Sequence, residues 1–193
     1  MSKRIALLTA AAFGALALTT AVVAPVNAQD KMTKSELSGE KTVMVGGAAM
    51  FPSKNIVQNA VHSKDHTTLV AAVKAAGLVD TLEGKGPFTV FAPTNTAFGK
   101  LPAGTVDTLV KPENKATLTK ILTYHVVPGK LEASDLTDGK KLKTVQGEEL
   151  TVKRSGDTVM IIDAKGGSST VTIPNVNQSN GVIHVVDTVL MPS

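Results

Sequence analysis

Histidine is the side chain best suited to metal or proton chemistry in this sequence, and only four occur: His62, His66, His125 and His184. His62 and His66 stand four apart, the spacing that puts two imidazoles on one helical face where they could chelate a metal. Ser63-Lys64-Asp65 between them reads as a helix stop followed by a new cap, which breaks the shared face. No cysteine is present to complete a thiolate set, and no third ligand stands out, so a metal site is not expected.

Nucleophilic catalysis asks for a serine on a strained elbow beside an oriented base. No Gly-x-Ser-x-Gly occurs, and Gly167-Ser168-Ser169 reads as a polar loop. Gly84-Lys85-Gly86-Pro87 lacks the length and the following helix of a phosphate-cradling loop. The carboxylates are scattered at loop ends. Neither an enzyme nor a bound cofactor is expected.

The remaining two histidines lie in apolar surroundings. Tyr124-His125 ends a helical pattern, and His184 alternates with Val182 and Val186 in a strand-like run. Both are expected to be buried and hydrogen-bonded, with His184 neutral and satisfied by backbone.

The elements that must position these residues fall into two halves. Helices are predicted first. Ser53 is placed to cap one carrying Ile56, Val57, Ala60 and Val61, and a second runs from about Thr67 to a stop at Gly77. Leu78–Leu82 makes a short turn of helix closed by Gly84. Pro112–Tyr124 makes a longer helix, with Ala116, Leu118, Ile121 and Leu122 available for burial. Between them Phe88–Phe91 alternates as a strand towards Pro93, with one side packing inward. Thr94 is placed to cap a helix holding Ala97 and Phe98.

After Tyr124 the period changes to two. Lys141–Val145, Glu149–Lys153, Thr158–Ile162, Thr170–Ile173 and Val182–Val189 are β-branched runs separated by Gly147, Ser155-Gly156-Asp157, Gly166-Gly167 and Asn180-Gly181. Helices followed by strands with short connections define an α+β domain with a mostly antiparallel sheet.

Composition narrows the setting. The chain has 193 residues, 42% apolar but only 3% aromatic, so its core rests on aliphatic side chains. Lys3-Arg4, the uncharged run from Ile5 to Val23 and the small residues ending at Ala28 read as a signal peptide over residues 1–28. Residues 29–41 read as a polar leader, and residues 42–193 as one domain, with order beginning near Thr42-Val43-Met44-Val45. Without Lys3 and Arg4, 18 basic residues face 16 acidic ones, a net charge of +2. Interspersed charges and scarce aromatics exclude nucleic acid as the expected partner. No second membrane span is expected after signal cleavage, which leaves periplasm, cell surface or medium as the destination.

Three stretches carry a resemblance. Phe88-Thr89-Val90-Phe91-Ala92-Pro93-Thr94-Asn95-Thr96-Ala97-Phe98, closing in Leu101-Pro102, resembles the first conserved box of fasciclin (FAS1) domains. Asn180-Gly181-Val182-Ile183-His184-Val185-Val186-Asp187 resembles the second, and Ile121-Leu122-Thr123-Tyr124-His125-Val126-Val127 is similar to the Tyr-His motif between them. The lead-in from Val45-Gly46-Gly47 through Pro52 is similar to that of bacterial one-domain members.

The resemblance implies a wedge of β-sheets flanked by helices, exported as an adhesion module for a surface or matrix protein or polysaccharide. It marks Tyr124, His125, Asn175, Val176, Asn180, Gly181 and His184 as interaction or motif residues. Asn175 stands where animal members carry an acid, so animal-type integrin engagement does not carry over. Asn180-Gly181 is expected to form a left-handed turn. The rival implication is a carrier of an apolar small molecule such as a carotenoid, using the segment from Val43 to Phe51 as a groove.

Overall fold

A computed structural model describes residues 40–193. The expected signal peptide and nearly all of the expected polar leader lie outside the described residues.

The chain enters through a small hairpin. β1 (Val43–Val45) and β2 (Ala48–Met50) pair antiparallel around Gly46-Gly47, both of which take positive φ. Short helices follow. α1 (Ile56–Ala60) is capped by Asn55, whose Oδ1 accepts from the Gln58 amide while the Gln58 side chain accepts from the Asn55 amide. Ser53 was the expected cap. It lies too far upstream and donates to Glu40 instead.

A 3-10 turn over Lys64–His66 leads into α2 (Thr67–Ala76), which ends on Gly77 in the left-handed conformation. α3 (Val79–Glu83) stops at Gly84. β3 (Phe88–Pro93) then runs into α4 (Asn95–Gly99), capped by the Thr94 hydroxyl on the Ala97 amide as expected. α5 (Thr105–Leu109) follows.

The helix expected from Pro112 begins as a 3-10 turn over Pro112–Asn114 and becomes α6 only at Lys115–Tyr124. Leu118, Ile121 and Leu122 are buried, whereas Ala116 faces solvent because it sits on the opposite side of the helix.

The strands follow. They are β4 (Val126–Pro128), β5 (Lys141–Lys143), β6 (Glu149–Ser155), β7 (Thr158–Ile162), β8 (Ser168–Gln178) and β9 (Gly181–Val186). With β3 they form one sheet in the order β4-β3-β9-β8-β7-β6-β5. β3 and β9 are parallel, and the other neighbours are antiparallel. The Val145 amide donates to the Val126 carbonyl at 2.8 Å, so the β5 end of the sheet reaches back to β4.

That curvature gives β3 two buried faces. Val90 and Ala92 pack under α1, α2 and α6 with Ile183 and Val185. Phe91 packs the other way with Tyr124, Leu136, Leu150 and Ile161. The alternation of Phe88–Phe91 had suggested one inward side. Both sides are buried because the helices cover one face of β3 and the curled-over residues of the far strands cover the other. β8 is longer than its β-branched core indicated. It carries Pro174 and two irregularities in its pairing with β9, between Val171 and Ile173 and between Ile173 and Val176.

Candidate functional site

Tyr124 and His125 occupy the last residue and the C-cap of α6, where the chain turns directly into β4. The Tyr124 ring is fully buried; its hydroxyl accepts from the Ala164 amide at 2.9 Å and donates to the Glu149 carbonyl at 3.3 Å. Burial pushes the phenol above its ordinary pKa. His125 Nδ1 donates to the Ile121 carbonyl, which leaves Nε2 to accept from the Leu190 amide at 3.0 Å. Burial holds this ring neutral, with its pKa lowered to about 4. Both side chains therefore fasten α6 to strands and to the C-terminal segment, as expected of a buried, hydrogen-bonded pair.

His184 sits inside the sheet, stacked on Phe91 of the parallel neighbour with ring centroids 5.7 Å apart. Its Nε2 donates to the Leu131 carbonyl at 2.8 Å, and its Nδ1 accepts from the Asn175 amide at 3.3 Å. Burial lowers its pKa as well. Asn175 takes φ of 57°, a conformation Asn tolerates better than most residues, within the irregular stretch of β8. Its side chain turns outward to accept from the Ala133 amide at 2.7 Å. Val176 beside it is buried in the helical-side core.

These bonds converge on one loop. Thr89 of β3 donates to the Gly129 carbonyl and accepts from the Leu131 amide, so Gly129, Leu131 and Ala133 are tied down by Thr89, His184 and Asn175. Arg154 completes the frame, donating to the Ala133 carbonyl while its amide donates to Asp138. Leu136 plugs the loop into the core, which leaves Ser134, Asp135, Thr137 and Asp138 exposed. Thr172 and Pro174 of β8 are exposed too. Thr89 entered the sequence reading only as a member of the first fasciclin-like box, and Arg154 carried no signal, since a lone arginine in a strand has no distinctive spacing.

Asn180 and Gly181 behave differently from the expected turn. Among the described residues Asn175 is the non-glycine with positive φ, so Asn180 is not left-handed. Its side chain acts instead as a three-way tie, accepting from the Ile56 amide and donating to the Leu82 and Gly84 carbonyls. Gly181 is required for space: a Cβ there would lie 2.0 Å from the Phe88 carbonyl oxygen.

His62 and His66 do not share a helical face. α1 ends before His62, which is exposed, while His66 is buried at the start of α2. His66 Nδ1 lies 2.9 Å from Ser63 Oγ, the contact a nucleophile and its base would make. Here both groups are buried, and among the described residues no carboxylate hydrogen-bonds to the ring. The pair secures the 3-10 turn rather than presenting a reactive oxygen. Among the described residues no group of three metal-binding side chains occurs, and no helix is long and apolar enough to cross a membrane.

An α+β sheet built on buried Tyr-His and Asn-Gly anchors defines a scaffold of the FAS1 type. Comparison with known proteins agrees. The pattern of the Fasciclin domain family matches residues 64–192, and the chain belongs to that family. It is 50% identical over 153 residues to Protein sll1483 of Synechocystis, covering 79% of this chain and 82% of that protein. It is 35% identical over 199 residues to the immunogenic protein MPB70 of Mycobacterium bovis, covering 100% and 98%. The cell surface glycolipoprotein MPB83 of the same species is 46% identical over 115 residues, with 60% of this chain and 48% of that protein covered. Among solved structures, a FAS1 domain pair from the insect cell adhesion molecule fasciclin I superposes with a TM-score of 0.65 at 20% identity. That match covers 73% of this chain and 52% of the insect chain, and it shows the fold.

Proposed function

We propose that this protein is an exported, non-enzymatic binding module that attaches to a surface or matrix protein or polysaccharide through the loop from Gly129 to Asp138 and the adjoining bulge of β8. One observation carries the reading: Thr89, Asn175 and His184 are spent on holding that loop, and its free side chains face outward. Ordering a loop costs conformational entropy, and a preordered loop binds without that cost.

Non-enzymatic action is consistent with the burial of three of the four histidines among apolar neighbours, where a substrate could not reach them. The names of one relative, a cell surface glycolipoprotein, and of one structural neighbour, an insect cell adhesion molecule, support an attachment role at the outside of a cell. Attachment per module is weak and is multiplied by surface density.

Beads coated with the purified mature protein test this on the envelope of the producing cells. Ser134→Arg with Thr137→Arg leaves the fold unchanged, because both residues are exposed, and abolishes bead retention. Pretreatment of the envelope with protease or with glycosidase then separates a protein partner from a polysaccharide. Retention equal to that of the unaltered protein would refute the loop as the contact surface.

A further inference from the structure

An apolar cleft lies between α1, α2 and α3 on one side and strands β3 and β9 on the other. Its inner wall is formed by Ile56, Leu69, Val73, Leu82, Val90 and Ile183, and its mouth is bordered by half-buried Val57, Ala60 and Val70. The cavity volume is about 50 Å³. One water needs about 10–15 Å³ by that measure and occupies about 30 Å³ of liquid, so the space suits a body of roughly four to six non-hydrogen atoms.

Three polar side chains border the cleft. Lys74 is exposed at the rim, and both ring nitrogens of His125 are already engaged. His66 differs. Its side chain is buried, its Nδ1 is taken by Ser63, and its Nε2 has no hydrogen-bond partner. The Ala92 carbonyl approaches the ring without meeting hydrogen-bond geometry at Nε2. A buried polar atom left unpaired is costly, and one facing an apolar void needs a partner that brings its own apolar body.

We propose that this cleft binds a small apolar molecule carrying one terminal hydroxyl or carbonyl oxygen. The molecule enters between α1 and α2, places its oxygen on His66 Nε2, and lays its carbons against Ile56, Leu69, Val73 and Leu82. Water could meet only Nε2 and the Ala92 carbonyl in a cleft that is otherwise apolar. An alcohol makes the same bonds while filling the rest. The space is far smaller than a carotenoid, the example given for the carrier raised by the sequence. The attachment role of the Gly129–Asp138 loop neither requires this site nor depends on it.

The linear 1-alkanols from propanol to decanol test the proposal on the purified mature protein, with binding followed through the methyl resonances of Ile56, Leu69, Val73 and Ile183. The expected result is saturable binding that tightens about fourfold per added methylene until roughly five carbons, then levels off as further carbons emerge at the mouth. His66→Leu weakens alkanol binding about fivefold, the worth of one hydrogen bond, and leaves cyclohexane binding unchanged. Ala60→Phe, at the half-exposed mouth, removes both, and it carries the test if His66→Leu does not fold. The proposal fails if no alkanol shifts those methyl groups saturably, which would mean the cleft holds water only. It also fails if folded His66→Leu binds alkanols as tightly as the unaltered protein, or if Ala60→Phe does so.

Discussion

His125 Nε2 accepts a hydrogen bond from the amide of Leu190, 65 positions later in the chain, so one imidazole joins the end of α6 to the last segment of the protein. That bond requires an unprotonated Nε2. Protonation would turn the acceptor into a donor facing another donor.

The consequence is acid lability with a defined sign. The folded His125 pKa lies at about 4, against an ordinary 6.5, so below pH 6.5 the unfolded chain binds a proton that the folded chain does not. Stability from this group is fully present above pH 6.5 and is lost as pH falls towards 4, by about 3 kcal/mol over the window. His66 and His184 are lowered in the same direction and steepen the loss. Urea unfolding midpoints measured from pH 7 to 4 are expected to fall, and His125→Gln to flatten that slope. A midpoint independent of pH would contradict the burial of these rings as neutral species.

Tyr124→Phe keeps the ring and removes the hydroxyl that serves Glu149 and Ala164. Leaving the Ala164 amide unpaired is expected to cost about 1–3 kcal/mol in urea unfolding. Unchanged stability with lost attachment would mark Tyr124 as a contact residue instead of a tie.

Two glycines make opposite predictions. Gly181→Ala pushes a methyl group to 2.0 Å from the Phe88 carbonyl oxygen, where backbone must move on an interior strand. A loss of more than about 4 kcal/mol, or failure to fold, is expected. Gly99→Ala meets nothing within 4 Å and is expected to be neutral or to raise the melting temperature slightly. Equal effects of the two would disprove the close approach at Gly181.

Asn175 supports the proposed attachment loop through its backbone and its side chain together. Asn175→Ala loses the bond to the Ala133 amide and strains φ of 57°, so amide hydrogen exchange at Ala133 is expected to accelerate at least tenfold. Asn175→Asp keeps an acceptor and tolerates the same φ, so exchange there stays within about threefold of the unaltered protein.

Much of the fold was legible where the deciding interactions are local. The Thr94 cap, the Gly77 stop and the period change after Tyr124 are written within a few residues of where they act. Local reasoning failed at the first cap because Ser53 and Asn55 are both good cap residues two positions apart. Asn55 forms the cap because Gln58 stands three residues on to reciprocate.

The sequence by itself determined an α+β domain and buried places for Tyr124, His125 and His184, because periodicity, caps and aliphatic runs act over one or two turns of chain; the fasciclin family followed from the resemblance of three motifs. Tertiary structure alone decided what those residues hold. Asn180 ties Ile56, 124 positions earlier, to Leu82 and Gly84, and His184 meets Leu131 across 53 positions. Such pairings arise only when β9 is laid beside β3 in a curved sheet, and no local pattern encodes which distant carbonyl a buried side chain will find.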